Sequence, residues 1–211
     1  DIIIPLDELP PSGTGIGHDE LKNSVEKSMR WEQRSLAEHL KNPSDQAMYA
    51  VVHGGLDQSL RNYSSTFLSK LPFDGFAVGG SLGRSVEDAA NVLNWVMPNL
   101  PSEKPVHLLG LADHGMLRMG TEKGVDTFDS CFPTKAARHG TAFVNIKPDG
   151  SSERLYLKSG KHAESSGPLD SNCDCYACTN HSKGYLHHLL KMHEPVAATL
   201  ISIHNIHHKI G

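Results

Sequence analysis

The feature that most constrains the fold is a repeating rhythm: short apolar runs, each closed by small or polar residues and followed by a helical stretch. Ile2-Ile3-Ile4-Pro5-Leu6 ends at Asp7-Glu8. After a Pro/Gly loop, a helix is expected from about Asp19 to Leu40, with Leu21, Val25, Met29, Leu36 and Leu40 near one face. The run from Ala47 to Val52 ends at His53-Gly54-Gly55 and precedes a helix over roughly 57 to 70. Gly75 to Val78 ends at Gly79-Gly80, and Ser85 with Asp88 three residues on forms a capping box for a helix running to about Met97. Val106 to Leu109 ends at Gly110 before a shorter helix, and Val125 to Phe128 ends at Asp129-Ser130.

Five strand-then-helix units within the first 130 residues specify an α/β fold with a mostly parallel sheet. An open doubly wound sheet and a (β/α)8 TIM barrel share that pattern. The strand ends favour the barrel, because Asp7, His53, Gly79, Gly80, Gly110 and Asp129 spread polar or flexible residues over the C-terminal end of every strand. An open sheet would gather them near one switch point. Five units are three short of a barrel, and the first run begins at residue 1 without an initiator methionine. The expectation is therefore a chain carrying only the later strands, with further sequence upstream.

Beyond about residue 141 the rhythm changes. Ala142 to Ile146 and Arg154 to Leu157 read as strands of a hairpin turning at Pro148-Asp149-Gly150. From Ser182 a helix gathers Tyr185, Leu186, Leu189 and Leu190, and Pro195 either kinks it or opens a second helix carrying Val196, Ala197 and Leu200. The expected organisation is a partial barrel over 1–140, a metal-binding insertion over 141–181, and a C-terminal helical segment over 182–211 that returns to the barrel.

A chain of 211 residues with 38% hydrophobic content can bury a core. It contains no run of 18 apolar residues and opens on no signal-peptide pattern, so a soluble, cytoplasmic protein without membrane contact is expected. The net charge of −4 gives no overall attraction to nucleic acid, yet residues 131 to 162 carry six basic against two acidic residues. Lys135, Arg138, Lys158 and Lys161 fall in that local excess, a candidate phosphate-binding surface or an ordinary solvated face.

Three of the four cysteines lie at Cys173, Cys175 and Cys178, with Cys131 far off, which does not suit a disulfide framework. Three close thiolates favour zinc over harder cations. Spacing leaves the fourth ligand open among His181, His187, His188, His193, His204, His207, His208, Asp174 and Cys131. Four protein ligands would close the coordination sphere and make the metal structural, whereas three would leave a place for a reactive water.

Several motifs together carry a family resemblance: DIIIPLDELPP at the start, MRWEQRS at 29–35, FDGFAVGGSLG at 73–83, HLLGLA at 107–112, GVDTFDSCFPTKAARHGTAF at 124–143, LDSNCDCYACTNHSKGYLHHLLKMHE, and then His204-Asn205. The chain resembles the tRNA-guanine transglycosylases (queuine or preQ1 tRNA-ribosyltransferases), bacterial type, over essentially its whole length. That resemblance implies a (β/α)8 barrel with a zinc-binding insertion. It implies exchange of guanine at the wobble position of a tRNA anticodon loop for a 7-deazaguanine, preQ1 or queuine, without ATP or nicotinamide. It also implies a structural Zn2+ on Cys173, Cys175, Cys178 and His204, Asp129 as nucleophile, Asp7 as reader of the base edge, and a homodimer. Gly79, Gly80 and Ser81 resemble the loop lining the base pocket, and Leu109 and Gly110 the adjacent wall. Lys135, Arg138 and His139, with Lys158 and Lys161, then read as contacts to RNA phosphates.

The residue types fit such chemistry. Breaking an N-glycosidic bond builds oxocarbenium-like charge on the ribose, which a carboxylate beneath C1′ stabilises before bonding to it. Asp126 competes with Asp129 by type, but it sits earlier in the strand, further from the C-terminal rim. The family's second aspartate, a general base, has no position in these residues; if they are the whole molecule, no transglycosylation is expected. His53 stands where a glutamine is usual, and Ser81 where a leucine is common. Two other readings are a non-catalytic RNA-binding partner of the same family and a zinc-dependent hydrolase, the latter requiring an open metal site near the strand ends.

Overall fold

The computed structural model describes residues 1–9, 16–42, 44–83, 85–111, 114–145, 147 and 152–210. They form two compact units, the first comprising 1–111 and 116–129, the second 112–115 and 130–211.

In the first unit five strands, β1 (Ile2–Ile3), β2 (Ala47–Val52), β3 (Gly75–Val78), β4 (Val106–Leu108) and β5 (Thr127–Phe128), pair in parallel in the order β1-β2-β3-β4-β5. Between them run α1 (His18–Lys41), α2 (Gln58–Leu68), α3 (Val86–Val96) and α4 (His114–Glu122). Each strand thus lies beside its sequence neighbour with no reversal of order. That is the arrangement of a (β/α) barrel, here a five-stranded part of one, and it excludes the strand reversal of a doubly wound sheet.

Met48 to Val52 and Phe76 to Val78 are buried throughout, as expected of parallel strands covered on both faces. Of these, Met48, Ala50, Val52, Phe76 and Val78 pack with Leu36, Leu68, Phe73, Val92, Leu93, Val96 and Leu108 into one core. The capping box is present: Ser85 Oγ accepts from Asp88 N at 3.0 Å, and Asp88 Oδ2 accepts from Ser85 N at 3.2 Å. Two details depart from expectation. β1 stops at Ile3, two residues before Pro5, whose ring nitrogen has no hydrogen to donate to a ladder. Leu40 is exposed in the last turn of α1, while Glu32 takes a fully buried place on the face that Val25, Met29 and Leu36 define.

The second unit holds α5 (Phe132–Arg138), the antiparallel pair β6 (Thr141–Val144) and β7 (Glu153–Tyr156), and the helices α6 (Tyr176–Asn180), α7 (Lys183–Lys191) and α8 (Pro195–Ile210). The expected hairpin turn at Pro148-Asp149-Gly150 lies outside the described residues, as does most of the first Pro/Gly loop. Pro195 opens a separate helix rather than kinking α7. α8 packs against α5, β6, α6 and α7, and its Ala197 and Ile201 are buried in one cluster with Leu157 and Leu186. No described helix is long and apolar enough to cross a membrane.

Candidate active site and metal centre

Asp7 lies four residues beyond the end of β1, and His53 directly follows β2. Asp7 Oδ2 lies 3.3 Å from His53 Nε2, close enough for an ion pair but misaligned for a hydrogen bond, so Nε2 is buried without a bonding partner among the described residues. Burial pushes the His53 pKa down to about 4, helped by the nearby Arg61 cation, so the ring is neutral at ordinary pH. Burial likewise raises the Asp7 carboxyl. Glu32 belongs to the same neighbourhood. Its side chain is fully buried, and neither oxygen makes a well-aligned hydrogen bond among the described residues. Burial pushes its pKa up to about 9, opposed by the Val51 N–H and helped by the Asp7 charge. Of these three polar groups Asp7 is the one partly exposed to a ligand, with His53 and Glu32 buried behind it.

The loop after β3 closes on His53. Gly80 and Ser81 both adopt left-handed backbone, φ 68° and 58°, and a Cβ at Gly80 would collide with His53 Nδ1. At Gly79 a Cβ would lie 2.9 Å from Leu109 Cδ1, so the Leu109 side chain walls this turn. Arg61, from the second turn of α2 and wholly buried, holds the arrangement. Its Nε donates to Gly55 O and its Nη1 to Val52 O, each at 2.8 Å. Its Nη2 donates to Gly80 O at 3.1 Å and to Ser81 O at 3.0 Å. The guanidinium fork therefore ties the end of β2 to the strained loop after β3.

At the end of β5, Asp129 stands more than half exposed. One of its oxygens, Oδ1, accepts from Gly110 N at 2.8 Å and lies 3.0 Å from His107 Nε2, while His107 Nδ1 lies 2.8 Å from Thr127 Oγ1. No described residue bonds to Oδ2. Asp126 is engaged elsewhere: its Oδ2 accepts from Val106 N at 2.7 Å, pinning the start of β4. Geometry thus separates the two aspartates that residue type alone left in competition.

In the second unit, one nitrogen of His204 and the three sulfurs of Cys173, Cys175 and Cys178 lie within 4.8 Å of one another. His204 Nδ1 is 3.5, 3.6 and 3.3 Å from those sulfurs in turn, while its Nε2 donates to Phe143 O at 2.6 Å. That second bond fixes the tautomer that leaves Nδ1 free to ligate, the usual support of a metal-bound histidine. Burial raises the Cys173 and Cys178 thiols, Cys178 to about 12, so the cluster is poorly suited to bare thiolates and suited to a cation that would displace their protons. The residues present can hold a metal ion, with four protein donors and no open position.

Several competing ligands are engaged elsewhere or exposed, and His208, buried with its ring centroid 5.4 Å from that of His204, falls outside the four-donor group. His207 Nε2 is 2.8 Å from Asp174 Oδ1, His187 Nδ1 is 2.7 Å from Leu157 O, His181 stacks on Tyr185, and His188, His193 and Cys131 are exposed. Lys135, Arg138, His139, Lys158 and Lys161 are all exposed in this unit. Lys158 lies against Gly140, next to His139, whereas Lys161 is carried on the short 3-10 turn Gly160–His162. Asn205, quoted in the sequence only beside His204, proves structural: it accepts from Phe143 N and donates to Pro133 O and Thr141 O, each at 3.0 Å.

Comparison with known proteins converges on one family. The family model described as Queuine tRNA-ribosyltransferase matches residues 1–211. A protein named Queuine tRNA-ribosyltransferase from Protochlamydia amoebophila is 45% identical over 207 residues, covering 98% of this chain and 51% of that relative. Relatives of the same name from Chlamydia felis and Chlamydia caviae are 42% and 43% identical, each matched over 99% of this chain and 54% of its own length. The chain thus spans about half the length of the curated relatives it matches. A parallel sheet in barrel order, an exposed aspartate at the end of β5 and a Cys3His cluster accompany that match over every residue, and the chain belongs to the queuine tRNA-ribosyltransferase family.

Proposed function

We propose that this chain carries the nucleophilic, base-reading and zinc-binding parts of a tRNA-guanine transglycosylase that exchanges guanine in an anticodon loop for a 7-deazaguanine such as preQ1 or queuine. The observation that carries the reading is Asp129: a strand-end carboxylate with one oxygen held by two N–H groups and the other bonded to no described residue. Oδ2 would attack C1′ as the bond to guanine breaks, giving a ribosyl ester that the incoming base then cleaves. Asp7 would accept from the N–H edge of the purine, with His53, Gly79, Gly80 and Ser81 shaping the pocket and Leu109 and Gly110 its wall. Such a pocket needs an unstacked base, which favours a single-stranded loop over a duplex.

Zinc on Cys173, Cys175, Cys178 and His204 would fix the fold of the second unit, and the four-donor set leaves no position from which a hydrolase would present water. We further propose 1–140 as barrel, 141–181 as the zinc-bearing insertion presenting Lys158 and Lys161 to RNA phosphates, and 182–211 as its helical return. Lys135, Arg138 and His139 would flank the target nucleotide. The cytoplasm, where tRNA is modified, is the proposed location.

The test is trapping. The complete protein is incubated with an anticodon stem-loop RNA and run on a denaturing gel. A covalent adduct that vanishes in Asp129→Asn supports the reading; RNA binding with no adduct in the wild type sinks it and favours an accessory subunit.

A further inference from the structure

We propose that His107 is a positioning residue for Asp129 and acts chiefly when the Asp129 carboxylate has to leave the ribose. This rests on the reading of Asp129 as the nucleophile. His107 pairs in register with Thr127 across β4 and β5, and Asp129 follows two residues later on the same face of its strand. One imidazole therefore spans both. Its Nδ1 meets Thr127 Oγ1 at 2.8 Å and its Nε2 meets Asp129 Oδ1 at 3.0 Å. The hydroxyl of Thr127 can donate to Nδ1, which puts the ring proton on Nε2, aimed at the carboxylate. The Gly110 N–H reaches the same oxygen at 2.8 Å, and the φ of 76° at Gly110 is what turns that amide inward.

Two donors on one oxygen and, among the described residues, none on the other have unequal effects on the two halves of an exchange. In the first half an Oδ2 lone pair forms the bond to C1′. The C1′–N9 bond breaks, and its electron pair leaves with guanine, which takes a proton from solvent. Asp129 is now an ester, and Oδ1 has become a carbonyl oxygen, a weaker acceptor than a carboxylate. In the second half N9 of the incoming base bonds to C1′ and its proton passes to solvent. The C1′–Oδ2 bond breaks, and its pair returns to Asp129, rebuilding a negative charge shared with Oδ1. The donors already stand where that charge reappears, as in an oxyanion hole.

Removing His107 should shift the balance between ester and free carboxylate toward ester by about tenfold, the advantage of one charge-assisted bond over a neutral one. A side chain that merely packed between β4 and β5 would, when lost, lower the amount of active enzyme and leave that balance alone.

The experiment measures, on the complete protein with an anticodon stem-loop RNA, the ratio of ribosyl adduct to free enzyme and the rate of labelled guanine exchange. His107→Phe is expected to raise the ratio about tenfold while exchange slows, and His107→Gln, which keeps an N–H, to return both toward the wild type. If His107→Phe folds poorly, Thr127→Val, which leaves the tautomer unfixed, is expected to raise the ratio by a smaller factor. An unchanged ratio in the variants beside a clear wild-type adduct overturns the role of His107 alone. Absence of any adduct, wild type included, overturns the nucleophile and this proposal with it.

Discussion

Replacing Arg61 by methionine removes the fork that joins β2 to the loop after β3. Four carbonyls lose their charged donor, that of Val52 buried and those of Gly55, Gly80 and Ser81 partly so. At roughly 2 kcal/mol for each hydrogen bond from a charged group the gross loss is about 8 kcal/mol. Against it stands relief of an unpaired buried cation. Burial pulls the Arg61 pKa down to about 9, a depression worth about 5 kcal/mol. The net cost is about 3 kcal/mol. Lysine at the same place keeps the buried charge but offers three N–H groups from a single point, so it leaves at least one carbonyl unpaired and gains no relief. Arg61→Lys should therefore be no more stable than Arg61→Met. The chain's two tryptophans, Trp31 and Trp95, both lie in the first unit, so urea unfolding followed by their fluorescence reports the right place. A loss of about 3 kcal/mol lowers the midpoint by about 2 M. A methionine variant as stable as the wild type, or a lysine variant that retains full stability, would refute the account of the fork.

Three further outcomes are expected. Glu32 keeps in the folded state a proton that the unfolded chain loses, its pKa rising from 4.5 to about 9, so its contribution to stability is complete below pH 4.5 and is lost as pH rises through 9. His53, depressed from 6.5 to about 4, loses its contribution only below pH 6.5, so between pH 7 and 9 Glu32 should dominate with a slope of up to about 1.4 kcal/mol per pH unit. Urea midpoints at pH 7 and 9 should show that fall, and Glu32→Gln should flatten it. Cys178→Ser should cost the second unit about 3 kcal/mol, roughly a quarter of the ~10–16 kcal/mol of a four-ligand zinc site, read as reduced zinc by elemental analysis and reduced helicity. Gly80→Ala forces a side chain onto left-handed backbone and into His53, and, on the proposed reading of this loop as a base pocket, should weaken guanine binding at least about tenfold by calorimetry.

What the sequence makes legible follows from where the physics is local. Strand ends announce themselves because barrel chemistry collects there, and Asp7, His53, Gly80 and Asp129 are readable from position and type. His107 is hidden because it sits within an apolar run and gains its partners from the register of β4 on β5, a relation between residues 20 apart. Glu32 is hidden for another reason: a charged residue in an amphipathic helix is ordinarily solvated, although its spacing from Met29 and Leu36 puts it on the buried face. The fourth metal ligand is undecidable by spacing, since seven histidines follow the cysteines. Folding decides it by bringing α8 back to the cysteine loop.

His204 and Asn205 are consecutive residues of one helical turn, yet the first offers a donor to the metal cluster while both fasten β6 at Phe143. Occupancy of the cluster and the seating of that strand are then two readings of a single equilibrium. A ligand that favours the seated strand must be favoured by it to the same degree. Chelation should loosen the Phe143 amide and hasten its hydrogen exchange, and a substitution that merely unseats β6, touching no cysteine and no ligating nitrogen, should weaken metal affinity by the free energy it takes from the strand.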